Sequence, residues 1–183
     1  MSRVLYYATQ LPVFRRFDMI NLENIKLAAE RNRKAVELKP SLARGTEIAR
    51  AQLREDMHFD IDVDGVKITA EVPMKYGGNG MTPGSSAHAM SSLICCLLVG
   101  YLIEFAKRDI PISGLGIEVQ ADSDSAVKHE YTDVRYIVTV ESDAPEEEIQ
   151  RAIEDNDATS FGLAVFQQPV KARREVRVTA AAN

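Results

Sequence analysis

The sequence has no tryptophan, two cysteines and three histidines among 183 residues. These scarcities narrow the function before any motif is read. The cysteines are neighbours, Cys95 and Cys96, so they cannot staple distant segments into a disulfide framework. The histidines, His58, His88 and His129, are scattered and lack the paired spacing of a metal site. No metal and no cofactor are therefore expected. Basic residues are outnumbered, 22 against 27 acidic, for a net charge of −5. That balance speaks against nucleic acid, which favours clustered basic surface. Long apolar runs are also missing. The longest, Leu93 to Ile103, is interrupted by Gly100 and falls short of the roughly 20 residues that a membrane span needs. Residues 1–20 mix Arg15, Arg16 and Asp18 with apolar positions and offer no leader core. The expectation is a soluble, cytoplasmic protein that partners neither nucleic acid nor membrane.

The chain has enough apolar residue, 45%, to bury a core without disulfide or metal. Leu11, Val13, Phe14, Phe17, Met19 and Ile20 are too apolar for a free tail, so the N-terminal arm is expected to dock on its own domain or on a second subunit. Apolar residues at helical spacing, Leu22, Ile25, Ala29 and Val36, predict a helix over 21–38, capped by Asn21 and stopped by Pro40. Its Lys26, Arg31, Arg33 and Lys34 read as a solvated face. Residues 1–45 thus form an arm and helix, and 46–183 the main domain.

Strand signals follow. Thr46 to Leu53 is a first strand, and Arg54, Glu55 and Asp56 its turn. Met57, Phe59, Ile61 and Val63 alternate with polar residues, and Asp64-Gly65 marks a hairpin that needs positive φ. Val66 to Ala70 completes a meander. The loop Gly77 to Gly84 has several glycines but lacks the lysine of a phosphate cradle. From Ser85 to Arg108 the pattern is one long helix capped by Ser85 or Ser86. Its stripe is Met90, Leu93, Leu97, Tyr101 and Phe105, widened by Ile94 and Leu98, and it reads as buried on most sides. Leu115–Ala121 and Val134–Val140 are strands, joined by a polar connection, and a helix starts at Asp143-Ala144-Pro145-Glu146. A mixed segment after Ser160 leads to a final strand at Val176 and Val178. This order specifies α+β, an antiparallel sheet packed on helices.

Read as residues alone, Cys95 and Cys96 are either small core side chains or, beside a cation or a helix N-terminus, a nucleophile. His88 lies eight residues before Cys96, about 12 Å along a helix, too far for a Cys–His pair. Asp122 and Asp124 read as a solvated turn rather than a cation site.

Several motifs then fall in order: Gly77-Gly78 and Thr82-Pro83 ahead of the long helix, Ser91-Ser92-Leu93-Ile94-Cys95-Cys96-Leu97 within it, Gly100-Tyr101, Ile110 to Val119, and Ser160 to Pro169-Val170. Over about residues 46–180 the chain resembles the OsmC/Ohr family, more closely its longer members with an N-terminal extension. The resemblance implies antiparallel sheets packed on two long central helices, in an intertwined homodimer with active sites at the interface. It places the peroxidatic cysteine at Cys96, with Cys95 where a small residue is usual, and the activating arginine at Arg54. The helix-start glutamate falls on Ser86 and the resolving cysteine on Ser160, so those two positions depart from the pattern. The implied function is a one-cysteine organic hydroperoxide reductase in oxidative stress defence, served by an external thiol. The alternative is a non-catalytic dimer of the same fold that binds a small hydrophobic ligand.

Overall fold

The computed structural model describes residues 20–54, 56–124, 126, 131–168 and 172–177. The expected docking of residues 1–19, the turn residue Glu55, His129 and Val178 lie outside the described residues.

Among the described residues the first helix is α1, Glu23–Leu38, which starts two residues later than expected. Leu22 holds the cap position, while Asn21 Oδ1 accepts from the Glu23 N–H at 2.9 Å. Strands β1 (Ala49–Leu53), β2 (His58–Val63) and β3 (Val66–Glu71) form an antiparallel meander. The first strand is shorter than the expected Thr46–Leu53, because only Ala49 to Leu53 find partners on β2. Asp64 and Gly65 both take positive φ, 49° and 87°, which is the hairpin geometry that the Asp-Gly pair predicted.

Pairing aligns three ranks of this sheet: Leu53, Phe59 and Ala70; Ala51, Ile61 and Ile68; Ala49, Val63 and Val66. One face is thus wholly apolar, and the other carries Arg50, Gln52, His58, Asp60, Asp62, Lys67, Thr69 and Glu71. The apolar face is largely uncovered within one chain. Leu53 is 57% exposed, Val66 65% and Ile68 39%.

The long helix α2 spans Ser85–Lys107. Gly84, not Ser85 or Ser86, occupies its cap position, and no side chain caps it. Leu93, Leu97, Tyr101 and Phe105 are buried as the stripe required, each large apolar side chain contributing roughly 1.5–3 kcal/mol. Burial on most sides does not hold: Cys95 and Val99 are exposed. The outward face of α2 is left exposed among the described residues. By length and composition α2 could cross a membrane; here its stripe is the centre of the domain core.

Strands β4 (Gly114–Ser123) and β5 (Tyr131–Glu141) form a two-stranded antiparallel sheet. Leu115, Ile117 and Val119 pair with Val140, Val138 and Tyr136, and all six pack against the core cluster that holds the α2 stripe. Helix α3, Glu146–Asp157, follows its acidic first turn. The segment after Ser160, expected to be mixed, is a helix, α4, Phe161–Gln167. Of the expected final strand, the described residues 172–177 form no strand. The result is a mixed α+β domain of two small antiparallel sheets and four helices among the described residues. α2 is the long central helix; α3, at 12 residues, is half its length.

Candidate functional site

Helical periodicity separates the two cysteines. Leu97 points into the core and is fully buried. Cys96, about 100° around the helix, sits on the flank of the buried stripe, and Cys95, a further step round, faces outward and is exposed.

Cys96 meets the start of α4. The Gly162 backbone N–H donates to Cys96 Sγ at 3.2 Å, and Ser160 Oγ lies 3.9 Å from the same sulfur. Ser160 is buried and caps α4 by accepting from the Leu163 N–H at 3.3 Å. Gly162 is needed for this approach. A methyl group there would stand 2.7 Å from Cys96 Cβ and 3.0 Å from Sγ, closer than van der Waals contact allows. The positions that the resemblance assigns to the peroxidatic and resolving residues therefore lie side by side, with the Ser160 hydroxyl, as expected, in place of a second thiol.

The end of α3 is fixed against α2 and β5. Asp157 accepts from Tyr101 Oη and from Tyr136 Oη, each at 2.7 Å. Burial, then the hydrogen bond and charge of Asp157, push the Tyr101 phenol well above its ordinary range. The same causes raise Tyr136 to about 12. One residue earlier, Asn156 lies against Gly100, where a methyl group would stand 1.9 Å from Asn156 Oδ1.

Arg54 directly follows β1, and its side chain is about half exposed. Its guanidinium pairs with Asp56 at 3.4 Å and Asp60 at 3.6 Å. No hydrogen bond or ion pair joins it to Cys96 within the chain, among the described residues. Its turn is well anchored. The Arg54 N–H donates to the His58 carbonyl at 2.8 Å, and Asn79 Nδ2 donates to the Asp56 carbonyl at 3.3 Å. His58 lies between two carboxylates, Asp56 at 3.2 Å from Nδ1 and the buried Glu71 at 3.2 Å from Nε2. Burial works to raise the Asp56 carboxyl, but the His58 N–H, Arg54 and the His58 ring outweigh it and hold it below its ordinary value. Ser86, where a glutamate was expected, exchanges a hydrogen bond with Tyr131 Oη at 2.8 Å instead.

Asp124 accepts from the Ala126 N–H, in keeping with a turn. No group of three metal-ligating side chains occurs among the described residues. A cleft of about 480 Å³ opens beside the site, lined by Leu93, Val134, Tyr136, Leu163, Phe166 and Tyr131. It has an apolar floor, the Leu93 and Leu163 side chains, and a polar rim.

The sequence pattern of OsmC-like proteins matches residues 76–174, the stretch that holds Cys96, Ser160 and both close-approach glycines. The chain belongs to the OsmC-like protein family. The fold agrees. An OsmC-like protein from Mycoplasma pneumoniae superposes with a TM-score of 0.60 at 19% identity, over 68% of this chain and 89% of that one. An OsmC-like protein from Vibrio cholerae gives 0.55 at 11%, over 68% and 95%. An organic hydroperoxide resistance protein from Legionella pneumophila gives 0.52 at 12%, over 68% and 90%. No curated protein matches the sequence.

Gly162, Asp157 and the two tyrosines were missed in the sequence of this OsmC-like protein. Signals existed. A tyrosine on a core stripe needs a partner for its hydroxyl. An aspartate ending a helix opposes the helix dipole, so Asp157 needed another reason to stand there.

Proposed function

We propose that this OsmC-like protein reduces organic hydroperoxides through Cys96 alone, as a cytoplasmic homodimer. The observation that carries the reading is the contact of Cys96 Sγ with the Gly162 N–H and Ser160 Oγ. A backbone donor aimed at sulfur suits a sulfur-centred anion. The neighbouring hydroxyl cannot form a disulfide, so the oxidised sulfur waits for an outside thiol.

The Cys96 thiolate attacks the O–O bond of the hydroperoxide; sulfur gains the terminal oxygen, becoming a sulfenic acid, and the alkoxide leaves and takes a proton. An external thiol attacks the sulfenic sulfur, releasing water and leaving a mixed disulfide. A second thiol equivalent then frees Cys96 and departs as a disulfide. The cleft beside Leu93 and Leu163 mixes polar residues such as Thr132 and Asp133 with apolar ones, and its Leu93, Leu163 and Phe166 side chains would meet the organic group of the peroxide.

The apolar face of the β1–β3 sheet and the outward face of α2 support the dimer. An uncovered apolar face of this kind marks an interface, and a second copy of the chain is the occupant that would cover both faces at once. Arg54 lies just past β1 on the polar side of the sheet, beside Asp60, and makes no contact with its own Cys96 among the described residues. In the dimer, its turn is the source of the cation that favours the thiolate and steadies the leaving oxygen.

Turnover of cumene hydroperoxide with a dithiol reductant tests the reading. Wild type and Cys95→Ser should consume peroxide, and Cys96→Ser should not. Equal consumption by Cys96→Ser would refute it. Tight binding of an apolar ligand without turnover would point to the binding-only alternative.

A further inference from the structure

Asp157 stands outside every residue assigned to the chemistry, yet it is tied to the site from three directions. It is the last residue of α3. It receives hydrogen bonds from Tyr101 on α2 and Tyr136 on β5, both at 2.7 Å. Tyr101 is fully buried, so its hydroxyl has no water to fall back on. Just before Asp157, Asn156 is pressed onto the backbone of Gly100. Just after it comes a short turn, 158–160, in which the Thr159 N–H donates to the Asn156 carbonyl at 3.0 Å. That turn delivers Ser160 and Gly162 to the Cys96 sulfur.

These contacts form a chain of constraint. Gly100 and Tyr101 lie about one turn beyond Cys96 on the same helix. They fix where α3 ends relative to α2, and the turn then fixes where α4 begins relative to Cys96. A carboxylate holds two phenols more firmly than a neutral acceptor would, because hydrogen bonds to charged groups are the stronger kind. Charge also gives the cluster a direction: both hydroxyls must donate to it.

We propose that Asp157 is a positioning residue for Cys96: clasped by Tyr101 and Tyr136, it holds the Ser160–Gly162 segment at the distance from the sulfur that the reaction with hydroperoxide needs. The inference rests on the reading of Cys96 as the reacting sulfur.

The test compares wild type with Asp157→Ala, Asp157→Asn and the milder Tyr136→Phe, well below their melting temperatures. Two rates are read at Cys96 by mass spectrometry: oxidation by cumene hydroperoxide and alkylation by iodoacetamide. The exposed Cys95 serves as internal control. Asp157→Ala should slow Cys96 oxidation by on the order of 10- to 100-fold, the usual cost of a misplacement near 1 Å. It should speed Cys96 alkylation, because the Gly162 backbone no longer shields the sulfur. Cys95 should not change. Asp157→Asn, which keeps one acceptor and the shape, should restore part of the oxidation rate. The tyrosine absorbance at 295 nm should rise at lower pH in Asp157→Ala than in wild type. If Asp157→Ala does not fold, Tyr136→Phe should show the same opposite changes to a smaller degree. A folded variant in which both Cys96 rates match wild type overturns the positioning role. If wild-type Cys96 ignores hydroperoxide while its alkylation still depends on Asp157, the clasp stands and the proposed reaction falls.

Discussion

Replacing Gly162 by alanine places one methyl group where the structure has no room. The added carbon would meet Cys96 Cβ at 2.7 Å, Cys96 Sγ at 3.0 Å and Leu93 Cδ1 at 3.7 Å. The nearest of these is fixed to a core helix and has no rotamer by which to retreat, so relief requires α4 to move off α2. Overpacking of this kind costs about 1–3 kcal/mol, and the rigid neighbour puts Gly162→Ala at the upper end. Alanine's better helix propensity returns at most about 1 kcal/mol. Overpacking wins, for a net loss of roughly 2 kcal/mol. For a chain of this size each kcal/mol moves the melting temperature by about 2–4 °C, so calorimetry should find a drop of roughly 4–8 °C. Gly45→Ala is the control: nothing lies within 4 Å of the added methyl, and its melting point should stay near wild type. The same displacement should lengthen the contact between the Gly162 N–H and sulfur, so hydroperoxide oxidation of Cys96 should slow along with the loss of stability. A Gly162→Ala protein with unchanged melting point and unchanged Cys96 chemistry would refute the packing argument and the site built on it.

Other outcomes follow from the same geometry. Ser160→Cys should allow an internal disulfide with Cys96 on peroxide treatment, read as a loss of two hydrogens in intact mass; losing the Ser160 cap should cost about 1 kcal/mol. Gly65→Ala, forced to keep a φ of 87°, should destabilise the β2–β3 hairpin by about 1 kcal/mol or more, seen in urea unfolding. Tyr136 gives a pH window. Its phenol ionises near 10 when unfolded and at about 12 when folded, so the folded state holds its proton longer. That contribution to stability is intact below pH 10 and is lost as pH rises towards 12. Unfolding midpoints measured across this window should fall, and more steeply in wild type than in Tyr136→Phe. Wild type should run as a dimer by light scattering, as proposed, and Ile68→Glu, which places a charge on the apolar sheet face, as a monomer.

Much of this was legible in the sequence because the relevant signals are local. The Asp64-Gly65 turn demands positive φ at both residues. Tyr101 and Phe105 follow Leu93 and Leu97 at four-residue steps, which fixes the buried side of α2 and hence the flank on which Cys96 sits. The resemblance added what spacing could not, the pairing of Cys96 with Ser160 across 64 residues, and the 3.9 Å separation agrees with it. What was not legible depends on the third dimension. The exposure of Cys95 and Val99 cannot be read from the sequence, because an apolar stretch looks alike whether or not its own domain covers it. α4 is only 7 residues long, too short for periodicity to register, and its close approach to α2 rests on Gly162, which a sequence reading passes over. The final strand expected at Val176 needed a neighbour with which to pair, and alternation alone does not supply one. Arg54 remains a reading from resemblance: its own chain gives it Asp56 and Asp60, not sulfur.

The central claim is that the Cys96 sulfur is the reacting atom, and trapping its oxidised form tests it most directly. Reduced protein is mixed with a small excess of cumene hydroperoxide in the presence of dimedone, digested, and the peptide holding Cys95 and Cys96 is sequenced by mass spectrometry. The adduct should form rapidly on Cys96, vanish in Cys96→Ser and persist in Cys95→Ser. An adduct confined to the exposed Cys95, or none beyond that of an unfolded control, would contradict the account.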